Sequence, residues 1–194
     1  ALRAVWFQKY YVHRRLRPEE FGARIHIQKT GQAEYPIHRD ILESNVFDRP
    51  EFKRRDSFLL PLGFAEGAPP HPSYGGGHST AVGAQATVLK AFFDETYVLP
   101  NTYVASRDGK ELVPYTGSGK DELTVGGELN KLAWNVAIGR NMAGVHYRTD
   151  SEQSMLLGEK VAIELLEQRS RGFPESGAFN FTKFNGERMT INFP

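Results

Sequence analysis

The chain has 194 residues, with 24 Lys and Arg against 23 Asp and Glu, and no cysteine. That length fits one domain of ordinary size, and 40% hydrophobic residues are enough for a core. A net charge of +1 gives no global field for nucleic acid or acidic lipid, no apolar run approaches the roughly 18 residues of a membrane span, and disulfides and thiolate metal sites are excluded. Neither a nucleic acid nor a membrane is expected as a partner.

The first predicted element is a helix over 3–15. Trp6, Lys9, Tyr10, His13 and Arg17 follow the spacing of one helical face, and Pro18 disfavours helical geometry at Arg17, which sets the end there. Pro18-Glu19-Glu20-Phe21 reads as a turn started by proline. Residues 22–57 are polar with little period and read as irregular, apart from one short helix near 38–46. Residues 59–77 are rich in Pro and Gly and read as a loop. A long helix is predicted from Gly77 or His78 to about Asp94. Its many small residues (Ala81, Gly83, Ala84, Ala86, Ala91) permit close approach of a second helix. Residues 100–125 read as a loop with turns at Asp108-Gly109 and Gly117-Ser118-Gly119, followed by helices over about 126–145 and 151–170. The tail from Phe179 to Phe193 sets Asn185-Gly186 between alternating apolar runs, the pattern of a β-hairpin. The class is mainly α with a small β appendage. The first residue is not Met, and Lys9, a candidate functional residue, comes almost at once. Residues 1–194 are therefore expected to form a single catalytic region within a longer polypeptide or assembly.

Three clusters carry chemistry. In the helix over 126–145, Leu129, Leu132, Ala133, Val136 and Ala137 make an apolar stripe on which Arg140 also falls. A guanidinium on a core-facing stripe needs a partner, either a carboxylate in a structural ion pair or an anionic ligand. The run Gly75-Gly76-Gly77-His78 precedes a helix, where glycines let the backbone approach a ligand and free N–H groups bind anions. His71 and His78 flank it and carry protons near neutral pH. Lys9 and Arg17 stand about two helical turns apart, either on a solvated basic face with His13, Arg14 and Arg15 or converging on one anion. Arg140, His146 and Asp150 add an arginine, a histidine and an aspartate at short spacing. Two arginines, a lysine and several histidines, without a carboxylate pair, suit a tetrahedral oxyanion better than zinc. A Ser/His/Asp triad with Ser73 or Ser79 lacks the Gly-x-Ser-x-Gly elbow.

Taken in order, Lys9 to Arg17-Pro18, Ser73 to His78, and Arg140 to His146 to Asp150 resemble the three motifs of the vanadium-dependent haloperoxidases. The wider superfamily includes the phosphatidic-acid-phosphatase-like acid phosphatases. The stretches His71-Pro72-Ser73-Tyr74, Gly127-Glu128-Leu129-Asn130-Lys131-Leu132-Ala133 and His146-Tyr147-Arg148 look like the bromoperoxidase branch. The resemblance runs over nearly the whole chain. It implies a helical bundle of the vanadium haloperoxidase and acid phosphatase type, with the C-terminal hairpin appended and this chain as the C-terminal catalytic portion.

The resemblance also implies roles. His146 would ligate vanadium. Lys9, Arg17, Arg140 and the backbone at Gly76 and Gly77 would hold the oxygens of vanadate, a site that phosphate can also occupy. His78 would act as acid and base, with Lys9 polarising bound peroxide. Trp6, His71 and Asp150 would border the halide and the histidine ligand. The implied reaction oxidises bromide, and iodide, with hydrogen peroxide to a hypohalite-like species that halogenates small organic acceptors. A homo-oligomer or a missing upstream segment is implied as partner, and a secreted or cell-envelope location fits. One departure is Gly76, where the family usually has a serine whose hydroxyl bonds a vanadate oxygen. Two other readings stand beside this one: an acid phosphatase with His146 as nucleophile, and a non-catalytic anion-binding relative.

Overall fold

The structure is a computed structural model and describes residues 1–63 and 65–194. The chain forms two compact units, Ala1–Gly77 with Ile138–Ser154, and His78–Ala137 with Met155–Pro194.

In the first unit, α1 (Leu2–Phe7) continues as a wider π-type turn over Gln8–Val12. The predicted helix does not reach Arg17. His13 N–H donates to Gln8 O at 2.9 Å and Arg15 N–H to Lys9 O at 3.2 Å, so the turn widens and closes, and Arg14 takes φ 48. Left-handed backbone at a non-glycine residue stops a right-handed helix. Arg17 is consequently not on the face of Trp6 and Lys9 but is the N-cap of α2 (Pro18–Lys29).

Helix α2 corrects the expectation of irregular chain beyond Phe21. Its ends, rather than its periodicity, make it helical. Pro18 sits in the first turn, where its missing N–H costs nothing, and Glu20 Oε2 accepts the Arg17 N–H at 2.7 Å. Its buried residues are few: Pro18, Gly22 and Ile25. A Cβ at Gly22 would lie 3.0 Å from Leu60 Cβ, so the glycine permits that close contact. The single helix expected near 38–46 is split into α3 (Arg39–Leu42) and a 3-10 turn over Asn45–Asp48, with Ser44 Oγ accepting the Val46 N–H at 3.4 Å. A further short helix, α4 (Pro50–Arg55), again starts at a proline. The predicted loop 59–77 includes Phe64, which lies outside the described residues. The described residues from 59 to 76 form no regular element.

The long helices match the sequence pattern closely: α5 (Gly77–Phe92), α6 (Val125–Met142) and α7 (Arg148–Ser170). In the second unit Ala86, Ala133, Ala137 and Met155 form a core with Val82, Trp134 and Phe184 packed on it. Backbones meet there. A Cβ on Gly83 would lie 2.4 Å from Met155 O, and one on Gly158 would lie 2.1 Å from Thr80 O. At those two positions the close approach leaves no room for any side chain. On α6 the buried residues are Gly126, Ala133 and Ala137, while Leu132, expected on the buried face, is 61% exposed.

The stretch 100–125 contains a short antiparallel pair, β1 (Tyr103–Ala105) and β2 (Leu112–Pro114), with Gly109 at φ 72 in its turn. The tail hairpin is present as β3 (Gly177–Thr182) and β4 (Arg188–Phe193), with Phe181 and Ile191 buried against Leu166. Gly186, at φ 87, donates its N–H to Lys183 O at 3.0 Å to close the turn. A buried ionic clasp holds this hairpin. Lys90 Nζ donates to Thr182 O at 2.6 Å, Glu95 accepts from Thr182 Oγ1 and Arg188, and Glu159 accepts the Phe184 N–H. Burial pushes the Lys90 ammonium below its usual pKa, against the pull of Glu159 and Glu95.

The close backbone contact gives a direct test. Gly158→Ala adds a methyl that must displace Thr80 O, so it should destabilise the chain by about 1–3 kcal/mol or more, read as a fall in the denaturant midpoint. A surface control such as Gly31 cannot be read the same way, because its φ of 73 already strains any side chain.

Candidate functional site

The turn between α6 and α7 is built around His146. After Met142 the chain reverses through Gly144 at φ 79, where a Cβ would also lie 2.7 Å from Pro61 O, so both backbone and space require glycine. Val145 N–H donates to Arg140 O at 3.2 Å. Asn141 Nδ2 donates to His146 O at 3.0 Å, and the Ser151 hydroxyl donates to Asn141 Oδ1. One side chain thus ties the end of α6 to the His146 backbone and to the first turn of α7. The His146 side chain is 2% exposed.

Asp150 serves three groups. Its Oδ2 accepts the Tyr147 N–H at 2.8 Å, the reach from the third helical residue back to the N-cap that starts α7. The same oxygen lies 3.7 Å from His146 Nδ1, beyond hydrogen-bond length, so the carboxylate acts on the ring as a charge across a short gap. Its Oδ1 pairs with Arg15 Nη2 at 3.2 Å. Burial pushes the Asp150 carboxyl up, but the His146 ring, the Tyr147 N–H and Arg15 outweigh it and hold its pKa below the ordinary 3.8. Tyr147 donates to Leu16 O at 3.3 Å, and burial pushes its phenol up to about 12.

Arg17 is the second anchor. Its Nε donates to Glu19 Oε1 at 2.6 Å, one Nη donates to His71 O, and the other donates to Val145 O at 3.0 Å. This residue is 8% exposed. The planar fork with several donors in fixed directions makes this threefold contact possible.

The loop from His71 to Gly77 is the third part. His71 stacks on Trp6, with ring centroids 4.3 Å apart, and Trp6 Nε1 donates to Gly75 O at 2.8 Å. Gly76 N–H donates to Ser154 Oγ at 2.8 Å. Lys9 Nζ stands 5.2 Å from the centre of the Tyr74 ring. Ser73 Oγ is buried without a hydrogen-bond partner among the described residues. A Cβ built on Gly77 would meet nothing within 4 Å, so open space faces that residue. Burial lowers the His71 pKa, its Nδ1 contact with Pro72 O raises it, and the charges of Arg17, His146 and Arg140 lower it further.

The first unit therefore gathers Trp6, Lys9, Arg17, His71, Gly76, Gly77, Arg140, His146 and Asp150. Arg140 lies in the last turn of α6, half-buried, on the stripe of Ala133 and Ala137. His78 is exposed in the first turn of α5 and belongs to the second unit. Sequence reasoning missed Arg15, Asn141, Tyr147, Ser151 and Ser154. A signal existed for part of this set: Asp150, Ser151 and Ser154 are small polar residues at helical spacing, and all three are fully buried. Arg15, by contrast, is indistinguishable in sequence from its basic neighbours.

Replacing Arg17 by lysine keeps the charge but cannot span three acceptors. Arg17→Lys should lose at least one charge-assisted hydrogen bond, about 1.5–3 kcal/mol, measured as a loss of unfolding free energy in denaturant.

Residues 50–173 match the family model for the VCPO second helical-bundle domain. The chain is 44% identical over 209 residues to the vanadium-dependent bromoperoxidase of Corallina officinalis, covering 98% of this chain and 35% of that protein. With the vanadium-dependent bromoperoxidase of Ascophyllum nodosum it is 39% identical over 206 residues, covering 98% and 36%. The chain spans about a third of the length of these curated relatives. A solved structure, the homohexameric second vanadate-dependent bromoperoxidase of Ascophyllum nodosum, superposes with a TM-score of 0.84 at 31% identity, covering 100% of this chain and 38% of that one. The helical bundle with its terminal strand pair, the ordered motifs and these matches lead to one conclusion: the chain belongs to the vanadium-dependent haloperoxidase family, through its second helical-bundle domain.

Proposed function

We propose that this chain carries the vanadate site of a vanadium-dependent bromoperoxidase, which oxidises bromide, and iodide, with hydrogen peroxide and halogenates small organic acceptors. The observation that carries the reading is the buried His146 held beside Asp150, in a unit that also holds Lys9, Arg17 and Arg140. The bromoperoxidase names of the relatives favour it over phosphate-ester hydrolysis. Residues 1–194 would act as one catalytic region of a longer polypeptide, completed by the part of the relatives' length that the match does not cover, and as a homo-oligomer, as the hexameric neighbour suggests.

The residues present fit a tetrahedral oxyanion. Open space faces Gly77, Ser73 Oγ is buried without a partner among the described residues, and Arg17, Arg140 and Lys9 supply positive charge in the same unit. When bound, vanadate supplies a Lewis-acidic centre that activates hydrogen peroxide toward a halide. His146 would ligate it through a ring nitrogen, with the Asp150 carboxylate 3.7 Å from Nδ1 on the ring's other side. Arg140, Lys9 and the Gly77 N–H would hold its oxygens, with Arg17 contributing the N–H groups not spent on Glu19, His71 and Val145. The Gly76 N–H is already committed to Ser154 Oγ, so that position offers no donor of its own. His78, the residue after Gly77, is the proposed proton carrier for peroxide. Trp6 and His71, stacked on each other, would border the halide, and the lowered pKa keeps His71 neutral to lower pH than an ordinary histidine.

Two outcomes test this. With peroxide, bromide and vanadate, the full polypeptide should brominate a phenol dye, and His146→Ala should abolish that activity. Aryl phosphate hydrolysis that vanadate merely inhibits, without bromination, would instead establish the phosphatase reading. Gly76→Ser restores a hydroxyl donor and should tighten vanadate binding by about tenfold or more, measured by vanadate titration of the apo protein.

A further inference from the structure

A cavity of about 380 Å³ opens in the first unit, lined by Tyr10, Arg14, Arg15, Arg17, Pro70 and His71 among others. We propose that this cavity binds the organic acceptor, and that the acceptor it selects is an aromatic ring carrying an anionic group, held by Arg14. The proposal rests on the bromoperoxidase reading and adds a substrate class to it.

The volume lies within the range of about 300–1,000 Å³ typical of small-molecule sites. Its walls are of two kinds. Pro69, Pro70 and Pro72 and the ring of Tyr10 give a rigid apolar side, suited to the face of an aromatic ring. The other side is cationic, and most of that charge is already committed. Arg15 pairs with Asp150 and lies over the Tyr147 ring. Arg17 is bound by Glu19, His71 and Val145. The one lining carboxylate, Glu20, accepts the Arg17 N–H. Arg14 remains: no described residue pairs its guanidinium, and its backbone is held at φ 48, a region that non-glycine residues seldom use. An exposed guanidinium beside an apolar wall binds a carboxylate or phenolate whose ring packs on that wall.

Two residues connect the cavity to the proposed chemistry. Arg17 and His71 line it, and the His71 ring also feels the charges of His146 and Arg140. A ring in the cavity would therefore sit beside the residue proposed to border the halide. The transfer balances with hypobromous acid as the brominating agent. A ring carbon takes the bromine, the O–Br and C–H bonds break, and the released proton and hydroxide leave as water. A bare bromide ion would use the guanidinium but gain nothing from the proline wall, which is why an aromatic anion is favoured.

The test uses the full vanadate-loaded polypeptide, with 4-hydroxybenzoate and phenol as probes. Without peroxide, 4-hydroxybenzoate should bind in saturation-transfer NMR, and Arg14→Gln should weaken it about tenfold, with Arg14→Lys recovering part of the loss. Under turnover, Arg14→Gln should raise KM for 4-hydroxybenzoate far more than for phenol. Phenol bromination without Arg14-dependent binding of 4-hydroxybenzoate overturns the cavity assignment and leaves the bromoperoxidase reading standing. Displacement of 4-hydroxybenzoate by millimolar bromide also overturns it, marking the cavity as a halide site. Binding without bromination of either probe overturns the bromoperoxidase reading, and the acceptor role with it.

Discussion

Arg17 joins three segments that are far apart in sequence. Through Glu19 it holds the start of α2, through His71 O the glycine-rich loop, and through Val145 O the turn that presents His146. Each acceptor is a group that water would otherwise have to satisfy, and a buried guanidinium without such partners would be costly. The His71 end of the His71–Gly77 loop is tied to the His146 turn by this one side chain. Its role as a holder of protein structure comes before any role toward a ligand, and only its remaining N–H groups are available for the latter.

Asp150 shows the same economy. As the third residue of α7 it closes the helix N-terminus on Tyr147, and as a buried charge it faces both Arg15 and His146. Helix geometry and ring electrostatics are thereby fixed together. Ser154, one turn further along α7, receives the Gly76 N–H, so the same helix that orients His146 also positions the glycine loop. A helix start, a histidine and the glycine-rich loop are coupled through two side chains of one element.

The second unit is assembled by a different principle. Its helices meet at glycine and alanine, with Gly83 against Met155 and Gly158 against Thr80, and its tail hairpin is secured by the buried Lys90, Glu95 and Glu159. On α6, Leu132 is left exposed although its spacing places it on the same stripe as Ala133. Periodicity identifies a helix face, but side-chain volume decides which part of that face can be buried when backbones touch.

The sequence by itself determined the three long helices, the tail hairpin and the candidate residues at Lys9, Arg17, His71, Gly77, Arg140, His146 and Asp150, because helical period, turn glycines and ordered motifs are local properties. It did not determine that the first helix passes into a π-type turn ending at Val12, that Pro18–Lys29 is helical, or that Arg15 and Ser154 contact the candidate residues. Those depend on contacts between residues distant in the chain: Arg15 with Asp150, Gly76 with Ser154, Gly22 with Leu60. An arginine in a basic run and a serine in a helix carry no mark of their partners. Only the tertiary structure brought those partners within reach, and it was that proximity which left Arg14, rather than Arg15 or Arg17, as the cation lining the cavity that no described residue pairs.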